Sequence, residues 1–157
     1  MAAAALCIAA AGSLLPAAAH AQQVRVTSLT DVNFGMVNNL TVDAVQSQSV
    51  CVWANGSARA YSVRATGSGA GGAFVLSSGP ASMAYQVRWN DAAGMSNGQQ
   101  LNPGIPLGGQ TTNAQNQLCT NGPPATASLI VVLPATSLMT ASQGAYSGTL
   151  TLLVAVE

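Results

Sequence analysis

After Ala21 the chain alternates between apolar and polar residues, and that period of two constrains the fold more than anything else in it. The alternation runs through residues 48–53, 60–66, 83–89 and 145–156. Successive side chains of a strand point to opposite faces, so each run reads as a half-buried strand, not a helix. In 60–66, Tyr61, Val63 and Ala65 share one face and Ser62, Arg64 and Thr66 the other. In 83–89, Met83, Tyr85, Val87 and Trp89 oppose Ala84, Gln86 and Arg88. Residues 128–133 are almost continuously apolar and predict a strand buried on both faces. Shorter segments sit at Val24 and Val26, at 32–36 and at 74–76, an edge strand. Gly, Asn and Pro clusters separate the runs, as at Asn55-Gly56 and Pro123-Pro124. Residues 90–117 are polar with Gly and Pro, and read as a long surface loop. About seven strands and no credible helix predict an all-β sandwich or barrel.

Residues 1–21 stand apart. An apolar run ending in Ala19-His20-Ala21 has the small-x-small form of a signal-peptidase site, although the usual basic start is missing. The expected division is therefore a signal peptide over 1–21 and one domain over 22–157, with no membrane span in the mature chain. Export makes a disulfide between Cys51 and Cys119 the default, with two free thiols as the alternative.

Charge narrows the function classes. Beyond residue 21 the chain carries Arg25, Arg59, Arg64 and Arg88 against Asp31, Asp43, Asp91 and Glu157, with no Lys and no His. Four scattered Arg make no phosphate-binding patch, so nucleic acid is not an expected partner. Without His or Lys there is no general base for a Ser or Cys nucleophile. The three Asp sit beside turn-forming residues, where Asp usually bends or caps backbone. Two Cys without His do not make a structural zinc site. Gly67, Gly69 and Gly72 match a dinucleotide-loop spacing, but Ala73-Phe74-Val75-Leu76 does not open the helix that such a loop needs. The expectation is a non-enzyme without cofactor or metal.

The last run carries the most information. Tyr146, Leu150, Leu152, Val154 and Val156 share one face; Ser147, Thr149, Thr151, Leu153 and Ala155 share the other. An apolar strand without Lys or Pro to blunt its edge is a template for another strand. An earlier strand over 24–29 is the in-chain candidate to cover it.

Four motifs then occur in order: Asp31-Val32-Asn33-Phe34-Gly35, Val50-Cys51, Ala84-Tyr85-Gln86-Val87 running on to Asp91-Ala92, and Gly144-Ala145-Tyr146 followed by Thr149-Leu150. Together they resemble the spore coat protein U domain, the subunit domain of archaic chaperone–usher pili, over almost all of residues 30–157. The resemblance implies an incomplete immunoglobulin-like sandwich completed by a donor strand. It implies export to the periplasm, a periplasmic chaperone, an outer-membrane usher and neighbouring pilus subunits as partners, and a cell-surface fibre serving adhesion or biofilm formation. It also places Tyr146, Leu150, Leu152, Val154 and Val156 on the groove that chaperone and donor would contact. Val24, Val26 and Leu29 become candidate donor positions, because 22–29 must serve as donor, as first strand or as both. Family members usually pair Cys51 with a Cys on the first strand; here only Cys119 is available. The competing expectation is a self-contained secreted carbohydrate-binding or tip adhesin module, with Trp53, Tyr61, Tyr85, Trp89 and Tyr146 as its aromatic platform. A coat protein sharing the fold is a third.

Overall fold

The computed structural model describes residues 22–56 and 58–157; the expected signal peptide lies outside them. The strands are β1 (Val24–Thr27), β2 (Ala44–Ala54), β3 (Ala60–Gly67), β4 (Val75–Ser78), β5 (Ala81–Ala84), β6 (Gln86–Asn90), β7 (Gln99–Leu101), β8 (Leu107–Thr111), β9 (Ala127–Leu133) and β10 (Leu150–Val156). One helix, α1 (Ala135–Thr140), lies between β9 and β10. The strands form a five-stranded sheet, β1-β2-β9-β6-β7, a three-stranded sheet, β10-β3-β8, and the hairpin β4-β5. Every ladder is antiparallel.

The alternation decides what lies between the sheets. Val50 and Val52 of β2, Tyr61, Val63 and Ala65 of β3, Val87 and Trp89 of β6, and Leu129, Val131 and Leu133 of β9 form one buried core. At its centre the Trp89 indole meets Tyr61 edge-on at 6.4 Å and 84°. Its Nε1–H donates to the Tyr61 hydroxyl at 3.1 Å, so the aromatic pair is buried without an orphaned donor. β9 is buried throughout because it is the middle strand of its sheet.

A smaller core lies outside. Cys51 points away from Val50 and Val52 and forms a disulfide with Cys119. Cys51, Cys119, Ala114 and Trp53 pack together there, so the 112–126 connection is pinned to the outer face of β2. The β2–β9 ladder ends at Val50↔Ala127. Beyond it, two hydroxyls take over the ladder's role: Val52 N–H donates to Thr126 Oγ1 at 2.9 Å, and the Thr126 and Thr112 hydroxyls donate to the Val52 carbonyl.

Several sequence expectations are corrected. There are ten strands among the described residues, not about seven, and residues 90–117 are not structureless. Strand β7 pairs with β6 and β8 with β3. A helix exists; its first free amide, on Ala135, donates to Asp43 Oδ1 at 2.9 Å, a partner far away in sequence. The run 83–89 is two strands, because Tyr85 N–H turns aside to the Phe74 carbonyl at 3.0 Å. That turn lets one alternating run leave the β4-β5 hairpin and join the main sheet. The edge segment expected at 74–76 is the β4 arm of that hairpin. Residues 32–36 are not in a strand. The last strand begins at Leu150, and β2 is longer than β10.

Candidate functional site: an uncovered sheet edge and its groove

In an immunoglobulin sandwich, strands A, B, E and D form one sheet and C, F and G the other. The order β1-β2-β9-β6 matches A-B-E-D, and β3 and β10 take the places of C and F. The corner before β10 follows the same plan, with the Tyr146 hydroxyl donating to the Ser142 carbonyl at 3.0 Å, four residues upstream. This is an all-β immunoglobulin-like fold.

The place of G is vacant among the described residues. β10 pairs with β3 from Leu150↔Gly67 to Val156↔Tyr61 and with no strand on its other side. Its inward residues Leu150, Leu152, Val154 and Val156 are only half-buried, whereas β9 is buried throughout. Outward, Leu153 is 52% exposed. The opposite margin of the sandwich is closed. There β7 and β8 extend the two sheets and a short loop joins them, tied by Gly104 N–H to the Ala65 carbonyl at 2.8 Å.

Beside β10 lies a groove of 1440 Å³. Its floor is the inner face of β9, Leu129, Val131 and Leu133, with Met83 and Tyr85. One rim is Leu150, Leu152 and the Tyr146 corner; the other is residues 29–38 and Leu40. The floor residues are 3%, 6% and 3% exposed although no strand lies over them. The rim shields them, because Phe34 and Val37 pack against the core from that side. The rest of that rim is exposed, Met36 at 86%.

The rim makes no ladder. Its backbone is held by side chains. Gln48 accepts from Thr30 N–H at 2.9 Å and donates to the Thr30 carbonyl at 3.0 Å, and Asn33 Oδ1 accepts from Gly35 N–H at 2.7 Å. At the corner end, Ser77 and Ser147 exchange backbone bonds of 2.8 and 3.0 Å, fixing the β4-β5 hairpin to the approach of β10. Asp31 is the one carboxylate on the lining described. Burial raises the Tyr85 hydroxyl pKa, so that phenol stays neutral. The groove therefore has an apolar floor and polar rims with one carboxylate, and is flanked by a strand edge offering unpaired N–H and C=O groups. Such an arrangement has the means to take up an extended chain, with main-chain bonds to the edge and alternate side chains in the groove.

Of the residues singled out in the sequence, Tyr146, Leu150 and Leu152 line this groove. Val154 and Val156 continue the same face beyond it. Leu29 lies on the opposite rim, while Val24 and Val26 belong to β1, paired with β2 of their own chain in the register Val24↔Ala54 and Val26↔Val52. Sequence reasoning missed the rim formed by Phe34, Met36 and Val37. Val32, Phe34 and Met36 alternate with Asn33 and Gly35 as in a strand, so the sequence marks the segment as apolar but not as a rim without a ladder. An aromatic platform is not assembled, since Tyr61, Tyr85 and Trp89 are buried in the core. The glycine-rich stretch is a short 3-10 turn at Ala70–Gly72 followed by β4. Among the described residues no group of three His, Cys, Asp or Glu is placed to hold a metal ion. Among them, too, no helix is long and apolar enough to cross a membrane.

No protein-family model matches the chain, and no curated protein does. A solved structure is similar in fold: a chain from a chaperone–tip adhesin complex of CFA/I fimbriae biogenesis, 14% identical with a TM-score of 0.52. The likeness covers 87% of this chain and 41% of that one, so this chain spans less than half of that neighbour's length.

Proposed function

We propose that this chain is an exported, non-enzymatic subunit of a surface fibre, assembled by donation of a β-strand from another molecule. The observation that carries the reading is the vacancy beside β10: an apolar strand with one free edge next to a 1440 Å³ groove floored by the core. A solvated edge of this kind is normally blunted by Lys, Pro or an inward charge; β10 has none of these. The resemblance to the spore coat protein U domain supports the same reading, as does the fold likeness to a chain of a fimbrial chaperone–adhesin complex. The partners are then a periplasmic chaperone that lends a strand during transit, an usher in the outer membrane, and a neighbouring subunit that supplies the final strand. Four donor side chains buried at about 1.5–3 kcal/mol each stabilise the pairing by roughly 10 kcal/mol before ordering costs.

The test is to prepare residues 22–157 alone and with an alternating Val/Thr strand fused through a flexible linker. Alone, the chain should associate or swap strands, and the fused strand should give a monomer with a raised Tm. A chain that is monomeric, melts cooperatively and gains nothing from the fused strand would refute the proposal.

A further inference from the structure

The vacancy beside β10 is not open along its whole length. Strand β1 comes within 8 Å of β10, Cα to Cα. The two strands edge opposite sheets, and sheets packed face to face stand ~10 Å apart, so the margins converge at this end and narrow the space a partner strand would enter. Val24 and Val26 pack against the same core as Val154. Val156 lies at the same end, half-buried and beside Gly56. The groove lining accordingly includes Leu150 and Leu152 but neither Val154 nor Val156.

β1 is anchored at its start and weak at its end. Its ladder with β2 has four residue pairs, Val24↔Ala54 to Thr27↔Cys51, extended upstream by Asn55 N–H donating to the Gln23 carbonyl at 3.1 Å. The Thr27 hydroxyl is buried without a hydrogen-bond partner, which weakens the strand's hold. Ser28 follows with φ 67°, a conformation costly for a residue with a side chain, so the strand ends in a sharp turn of the backbone. After it the chain makes no ladder until β2.

We infer that β1 is an in-chain stop: a partner strand pairs first along the Leu150–Leu152 half of β10 and reaches Val154 and Val156 only when β1 is displaced. The inference rests on the strand-acceptor reading of the groove and adds to it an order of engagement. It also makes a filled site different from a half-filled one. Complete pairing frees 22–29 from its own sheet, and incomplete pairing leaves that segment in place.

The probe is a synthetic peptide of alternating Thr and Val with a terminal Lys, read by residue-resolved hydrogen exchange on residues 22–157. In the wild type, low peptide should protect the amides of 150–152, and saturating peptide should extend protection to 156 while β1 loses its own. Val24→Ser with Val26→Ser should bring full-length protection at about tenfold lower peptide, the order expected for two half-buried valines. Should that variant not fold, a staple decides. Arg25→Cys with Trp53→Cys joins register partners on the outer face. Oxidised, it should confine protection to 150–152 at any peptide concentration, and Arg25→Ser with Trp53→Ser, which cannot form the staple and leaves the Cys51–Cys119 bridge intact, should keep the wild-type pattern. Protection of 154–156 in the oxidised staple would overturn the stop and leave the acceptor reading intact. Absence of peptide-induced protection anywhere on β10, in every variant, would overturn both.

Discussion

The Cys51–Cys119 disulfide should carry a large share of this domain's stability. The bridge spans a sequence separation of 68 residues. In the chain-entropy model a closed loop of that length removes about 15 cal/mol/K from the unfolded ensemble, or roughly 4.4 kcal/mol at 25 °C. Domains of this size are stable by about 5–15 kcal/mol, so loss of the bridge should bring the fold close to its threshold. The structure also fixes where the damage starts. Cys119, Ala114 and Trp53 pack on Cys51 outside the main core, and the 112–126 connection is otherwise held to β2 through Thr112 and Thr126. The perturbation is Cys51→Ala with Cys119→Ala, which leaves no free thiol. The assay is urea unfolding at sub-micromolar protein, followed by tryptophan fluorescence, since Trp89 reports the core and Trp53 the disulfide. The expected loss is about 4 kcal/mol. A loss below about 1 kcal/mol would refute the reasoning, because it would mean that the denatured chain is not loosened by losing the bridge.

Three further outcomes follow from particular contacts. Burial, only partly offset by the Trp89 hydrogen bond, pushes the Tyr61 hydroxyl pKa up to about 12 from 10.0, with a small upward push from Asp91. Stability is then fully present below pH 10 and lost as pH rises toward 12, by about 3 kcal/mol, because only the unfolded state ionises in that window. Urea midpoints between pH 9 and 12 should show this decline, and Tyr61→Phe should remove most of it. Gly67→Ala should cost at least 1–3 kcal/mol, since a Cβ there would run into the Ala73 carbonyl and stand 2.9 Å from Phe74 Cα, all backbone that cannot step aside. The Tm should fall by several degrees, and an unchanged Tm would show that the β3–β4 crossover yields more easily than its packing suggests. Asp43→Ala should cost about 0.5–2 kcal/mol by leaving the Ala135 amide uncapped, with faster hydrogen exchange confined to α1.

The parts of the fold legible in the sequence are those in which burial and period coincide. Tyr61, Val63 and Ala65, and again Val87 and Trp89, face the core as their alternation requires, because each sits on a strand with one face on the core. Residues 128–133 read as buried because a central strand leaves no polar face. The polar 90–117 segment failed for a physical reason. β7 and β8 are three- and five-residue strands at sheet margins, and Gly108 and Gly109 leave β8 little pattern to show. Helix α1 failed because it is six residues long and its cap comes from Asp43, across the fold. The apolar face of β10 was legible from its alternation alone. The opposite rim was not, since Val32, Phe34 and Met36 alternate as in a strand, yet the segment makes no ladder and packs Phe34 and Val37 against the core.

The two margins of the sandwich set the terms for any account of this chain. At one margin β7 and β8 continue the sheets and a loop sews them together, so the core there is sealed by the chain itself. At the other, the sheets end on β1 and β10, and the core is kept from water by a coil that makes no ladder and leaves Met36 almost wholly exposed. A fold selected to stand alone would gain by treating both margins alike, because an unpaired apolar edge both forgoes stability and invites association. On the proposed strand-acceptor reading, that cost is recovered when a partner strand fills the margin. The near absence of charge points the same way. Like-charge repulsion is the general defence against edge pairing, and a chain with four Arg against four carboxylates beyond residue 21 has almost none.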